Sequence, residues 1–256
     1  MNRSNLEYVT AWVVGGGLAF GVATALCKRT RVFAASPAYA AQLLVHSVYV
    51  FAICYYSLIG PLDWIWKQPA TLQERMYMYD PAAERICLLQ IALQIYSIVT
   101  ALLTQHPLLM KPEGFVHHIM TGFSMVVALH PFGHPRANLF FGITELSTIP
   151  LDVIDLFKGF KELRKQCPTT DIVCKALFAL SFLGLRVGLV TQASVGFQRD
   201  LYQLYVTGTA HSLPVVAFSS LSNILIVCLQ LYWSTLIIKG MQKTLAGGGG
   251  KGGKAS

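Results

Sequence analysis

Charge is scarce in this sequence. Only 12% of its 256 residues are Asp, Glu, Lys or Arg, against roughly 25% in a soluble domain. That shortfall argues against an ordinary soluble fold. The six cysteines form no CxxC pair and keep no regular spacing. Most stand in or beside apolar runs, where cysteine is a small buried hydrophobe, so neither a disulfide framework nor a zinc site is read. Short segments of alternating polarity are missing too, which argues against a membrane β-barrel. No small-residue cleavage site closes the first apolar run before Lys28-Arg29. That run is also too long for a cleaved leader, so it reads as a first transmembrane helix. There is no internal repeat and no linker, which leaves one integral membrane domain.

What is present is apolar length. Hydrophobic residues make up 54% of the chain, with a mean hydropathy of +0.52. A bilayer-spanning helix takes roughly 20 mostly apolar residues. Seven segments are read as spans: 7–27, 39–62, 86–105, 114–131, 138–158, 173–197 and 213–239. The aromatic, mixed-polarity segment 63–85 suits a loop or an interfacial helix. The glycine-rich end, 241–256, reads as a disordered tail. The expected fold is therefore all-α, a polytopic membrane helix bundle.

The formal net charge is +8. In a soluble protein it would hint at nucleic acid; here membrane topology accounts for it and no nucleic-acid partner is expected. With seven spans the loops alternate sides. One side receives Lys28, Arg29, Arg31, Lys111, Lys158, Lys161, Arg164, Lys165, Lys239, Lys243, Lys251 and Lys254. The other receives Arg3, Lys67, Arg75, Arg85, Arg136 and Arg199. Twelve against six puts the first set, and the C-terminus, in the cytosol.

Polar residues inside the spans carry the chemistry. His117 and His118 stand together in "GFVHHIMTGF". Ionisable groups in hydrocarbon normally face a bundle interior or a wet cavity. Helical neighbours point about 100° apart, so one packing contact does not satisfy both rings. The fifth span places Glu145, Thr148, Asp152 and Asp155 on one helical stripe. Counting back from the turn near Gly133, the histidines come level with Asp152, and Glu145 lies about 9 Å deeper. Asp152 is therefore the expected histidine partner. A carboxylate that holds a histidine N–H fixes the tautomer and makes the ring a better base. Pro150 is expected to kink this span. Arg186, in mid-span, needs an acid, and Glu145 or Asp152 is the natural one. His46 is a lone histidine on the second span, and Asn223 reads as an interhelical contact in the last. No metal site is read, because adjacent histidines on one helix do not easily face one ion, and His130 and His134 lie across a turn.

These pieces resemble the TLC-domain family, the membrane fold of ceramide synthases and their relatives. "FVHH" at 115–118 resembles its paired histidine, and "ELSTIPL" at 145–151 a segment of its non-synthase branch. "LVHSVYV" at 44–50 is similar to the first core helix and "LQLYWSTLIIK" at 229–239 to the closing one. The resemblance implies six core helices plus one N-terminal helix. It divides the chain into the N-terminal helix and basic loop at 1–34, the TLC domain at 35–240 and the tail at 241–256. It also implies residence in the endoplasmic reticulum. In the synthases the histidine pair and two downstream aspartates serve acyl transfer from acyl-CoA to a sphingoid amine. Here Glu145 and Thr148 align with those aspartates, and the signature between them is degraded.

Two functions stand open. One is an acyltransferase in sphingolipid or phospholipid metabolism, with His117, His118, Glu145 and Asp152 as catalytic candidates, acyl-CoA as co-substrate and no bound cofactor. Lys111, Lys158 and Lys161 would attract CoA phosphates. The other is a non-catalytic lipid-binding or regulatory protein, with Thr148, Asp155, Arg186, His46 and Asn223 as lipid-binding candidates. Membrane lipids are the expected partners, together with a second copy of the chain or a lipid-synthesising enzyme.

Overall fold

The computed structural model describes residues 2–60, 69–130 and 132–248. All secondary structure in that range is helical. The helices are α1 (Arg3–Arg29), α2 (Pro37–Ile59), a short α3 (Leu72–Tyr77), α4 (Pro81–Thr104) and α5 (Pro112–Ala128). They continue with α6 (His134–Ala137), α7 (Thr148–Gly159), α8 (Lys161–Gln166), α9 (Pro168–Ser181), α10 (Val190–Val206) and α11 (Leu213–Gly248). A π-helical turn (Asn138–Gly142) and a 3-10 turn (Ile143–Ser147) join α6 to α7, and a second π-helical stretch (Phe182–Leu189) joins α9 to α10.

The starts of these helices are written locally. Proline stands in the first turn of α2, α4, α5 and α9, where its missing N–H is not needed. Asp80 caps α4, its carboxylate accepting from the Ala82 and Ala83 N–H groups. Thr71 and Glu74 cap α3 reciprocally. The expected loop at 63–85 thus contains a capped helix and the first turn of α4; its residues 63–68 lie outside the described ones. Likewise α11 continues into the expected tail as far as Gly248, and 249–256 lie outside.

Five helical runs among the described residues are long and apolar enough to cross a membrane: Arg3–Arg29, Pro37–Ile59, Leu72–Thr104, Pro168–Val206 and Leu213–Gln242. The other two expected spans are present in altered form. α5 has 17 residues, and the segment that includes α7 is broken by its π and 3-10 turns. The protein is an integral membrane helix bundle. α4 is its hub: 72% of its apolar window is buried, and it packs on α1, α2 and α5. The windows of α1, α9–α10 and α11 are only 11–17% buried. Side chains such as Leu18, Leu177 and Leu180 point outward from them, as lipid-facing residues do.

The break before α7 has a steric cause. Gly142 ends the π turn against α2, and a Cβ there would overlap Ser57 Oγ and press on Asn138 Oδ1. Ser57 is fully buried and has nowhere to retreat. Pro150 falls in the first turn of α7 and tolerates that position, so the irregularity arises eight residues earlier than the expected kink. Gly142→Ala should cost about 1–3 kcal/mol, the range for overpacking a filled core. The thermal midpoint in detergent reads this, and Ser57→Gly in the same chain should recover part of the loss.

Candidate functional site

A cavity of about 430 Å³ lies within the bundle. α2, α4, α5, the 3-10 turn, α7, α9 with its π stretch, and α11 all contribute to its wall, whereas α1 contributes nothing. The volume is in the range of pockets that hold small organic ligands. Leu93, Leu151, Phe178, Phe182, Leu236 and Ile237 form an apolar lining. Lys111 and Lys158 are exposed and also line it, so the cavity reaches the surface where α5 begins and α7 ends. Asp155 sits at this mouth with its carboxylate 2.6 Å from Lys158 Nζ.

Two polar groupings project into the cavity. In the first, His46 Nδ1 lies 3.0 Å from Asp152 Oδ2, and Ser47 Oγ donates to the same oxygen at 2.7 Å. A carboxylate accepts, so the Nδ1 proton of His46 belongs to this bond and Nε2 is left for the cavity. Asp152 is therefore not the partner of the histidine pair. α2 packs against α7, as α9 does, and it is α2 that presents His46 and Ser47 to that acid. The level count was misled by the π and 3-10 turns, which do not advance at the α-helical rise.

The second grouping is a chain. His118 Nδ1 lies 2.5 Å from Gln94 Oε1; Gln94 Nε2 donates to Gln90 Oε1 at 2.6 Å; Gln90 Nε2 donates to Glu145 Oε1 at 3.1 Å. Glu145 in turn accepts from Thr148 at 2.7 Å and faces Arg186 Nη2 at 3.5 Å. Arg186 also donates to Ser147 Oγ at 2.7 Å and Thr148 Oγ1 at 2.9 Å. The expected Glu145–Arg186 pair thus forms, and Glu145 reaches the histidines only through two glutamines. His117 turns edge-on to Trp233, ring centroids 5.6 Å apart, and its buried Nδ1 has no partner among the described residues.

The structure therefore gathers His46, His117, His118, Glu145, Thr148, Asp152, Asp155 and Arg186 around one cavity. Asn223 is elsewhere. It bonds Gln198 and Ser194 of α10 and lines a separate hollow of about 70 Å³. Gln90 and Gln94 escaped sequence reading, although two glutamines four apart in "CLLQIALQIY" already mark a polar face on an apolar span. No three His, Cys, Asp or Glu side chains are gathered as metal ligands among the described residues.

A further buried charge cluster sits apart from the cavity lining. Asp200 of α10 accepts from Arg75 through both carboxylate oxygens, each at 3.0 Å, and from Arg136 by a close contact. It ties α3 and α6 to α10. His134 supports the same region, with Nε2 2.6 Å from the Ala128 carbonyl oxygen and Nδ1 accepting from the Asp80 N–H.

Comparison with known proteins identifies a family for most of the chain. The family model described as TLC domain matches residues 39–239, from the first turn of α2 into α11. Searches of curated proteins and of solved structures gave no match. The matched span contains every residue that lines the cavity and leaves out α1, which does not. By that match the chain belongs to the TLC-domain family of membrane proteins.

Proposed function

We propose that the cavity binds a membrane lipid and acts in lipid metabolism as an acyl-CoA-dependent N-acyltransferase. The observation that carries this is the cavity's division of labour. Its wall is apolar enough for an acyl chain, its interior holds imidazoles from two helices, and its mouth lies between Lys111 and Lys158. In the proposed reaction an imidazole nitrogen attacks the thioester carbonyl and the C–S bond breaks. CoA leaves as thiolate and takes up a proton. A lipid amine then attacks the acyl-imidazole, forming the amide C–N bond, and gives its proton to a second base as the imidazole is released. His118 suits the first role and the Asp152-held His46 the second. The excess of basic loops at the cavity's mouth supports a cytosolic mouth and C-terminus, the side on which acyl-CoA is available. Residence in the endoplasmic reticulum fits the same reading.

The test is incubation of purified protein with a radiolabelled long-chain acyl-CoA, with and without a sphingoid amine. Label should pass to the protein and then to the amine, and His118→Ala should abolish both. A second reading is favoured by one observation: Glu145 is held by Gln90, Thr148 and Arg186 and touches neither histidine of the pair. Under it the network only grips a headgroup. No transfer by the wild type, with a lipid that co-purifies and is lost from the Arg186→Leu variant, would support binding without catalysis.

A further inference from the structure

The proton of His118 is placed by side chains one helix away. One end of the Gln90 amide lies 2.8 Å from the Phe141 carbonyl oxygen and 3.1 Å from Glu145 Oε1. A backbone carbonyl only accepts, so that end must be the NH2 group. Gln90 Oε1 is then an acceptor, and the Gln94 atom 2.6 Å from it must be that residue's own NH2 nitrogen. Gln94 is left with its oxygen 2.5 Å from His118 Nδ1. An amide oxygen has no hydrogen to offer, so the hydrogen of this bond is on Nδ1.

We propose that Gln94, locked in orientation by Gln90, is a positioning residue that holds the His118 proton on Nδ1 and keeps the Nε2 lone pair free for the cavity. The two glutamines stand at i and i+4 on α4, where side chains meet along one face. If Gln94 turned over, its oxygen would confront Gln90 Oε1 and its NH2 would confront His118 Nδ1. The imidazole would then accept at Nδ1 and carry its proton on Nε2, and no lone pair would face the cavity. The anchor of the relay is fixed as well, because the Phe141 carbonyl belongs to the π turn that Gly142 closes against α2. The placement of the proton stands independently of the acyl-transfer reading; its value as a nucleophile or base rests on that reading.

Nitrogen NMR of the full chain in lipid nanodiscs, with isotope-labelled histidine, tests this. Protonated and unprotonated ring nitrogens differ widely in shift, and His118→Asn assigns the signal by its disappearance. In the wild type His118 should show N–H at Nδ1 and a bare Nε2. Gln94→Met removes the acceptor, and the proton should redistribute toward Nε2. Gln94→Glu as the neutral acid keeps an oxygen toward Nδ1 and an O–H toward Gln90 Oε1, and should restore the wild-type pattern. Acyl transfer should fall about 10- to 100-fold in Gln94→Met, the scale of losing a group that orients a metal-bound histidine, and recover in Gln94→Glu. A wild-type proton on Nε2, or a Nδ1 proton unmoved in Gln94→Met, would overturn the proposal. The expected NMR pattern without acyl transfer in any variant would uphold the relay and count against the acyltransferase.

Discussion

Asp200→Ala should destabilise the folded protein by about 3–5 kcal/mol, the range for breaking a buried ion pair from one side. Asp200 is the carboxylate shared by Arg75 and Arg136, and the side chains of Asp200 and Arg136 are 4% and 5% exposed. Without it, two guanidinium groups face each other with little water to screen them. Arg75 retains the Pro69 and Ala70 carbonyl oxygens, and among the described residues Arg136 retains weak contacts with Met76 sulfur and the Phe197 ring. The loss should appear in the thermal midpoint in detergent and as early proteolysis around α3, which the cluster fastens to α10. Adding Arg136→Met to Asp200→Ala should return part of the stability, because it removes the charge left most deeply buried. Since none of these residues lines the large cavity, Asp200→Ala assayed below its unfolding temperature should keep acyl transfer. A midpoint equal to the wild type would mean that the cluster is not closed as described.

The largest expected effect on activity belongs to His118. His118→Ala should lower acyl transfer by roughly 10²–10⁴, the scale of a lost general base, and by more if the ring carries the acyl group. The fold should survive, since His118 is only half-buried and its one described bond is to Gln94. Asp152→Asn should also slow transfer while leaving acylation of the protein measurable, because Asp152 serves His46 and not His118. If both substitutions stop acylation equally, the assignment of separate roles to the two histidines fails.

The apolar runs made most of the bundle legible. α1, α2 and α4 begin and end close to the expected spans, and α11 begins where expected but continues to Gly248, because run length and proline in the first turn are local properties. Local rules failed at the fifth span. "NLFFGITELSTIP" reads as continuous helix, yet Gly142 must pass Ser57 of α2, and nothing near it in sequence announces that neighbour. The same limit explains the site. The stripe of Glu145, Thr148, Asp152 and Asp155 is legible because one short stretch of sequence carries it, although Glu145 falls in the 3-10 turn and the other three in α7. Which histidine each acid meets depends on which helices adjoin, so the sequence alone points Asp152 at the histidine pair, whereas the fold gives it to His46. Gln90 and Gln94 were passed over because glutamine bears no charge and reads as a minor blemish in an apolar span, although their place between α5 and the 3-10 turn makes them the link from His118 to Glu145.

Acyl transfer as proposed requires the cavity between Lys111 and Arg186 to receive a lipid acyl chain. The most direct measurement is photolabelling of the purified protein with a long-chain fatty acyl-CoA bearing a diazirine, followed by mapping of the labelled peptides. The label should fall on cavity-lining positions such as Leu93, Leu151 and Trp233, and should disappear when Leu151→Trp fills the space. Label confined to the outward faces of α1 and α9, and unchanged in Leu151→Trp, would contradict it.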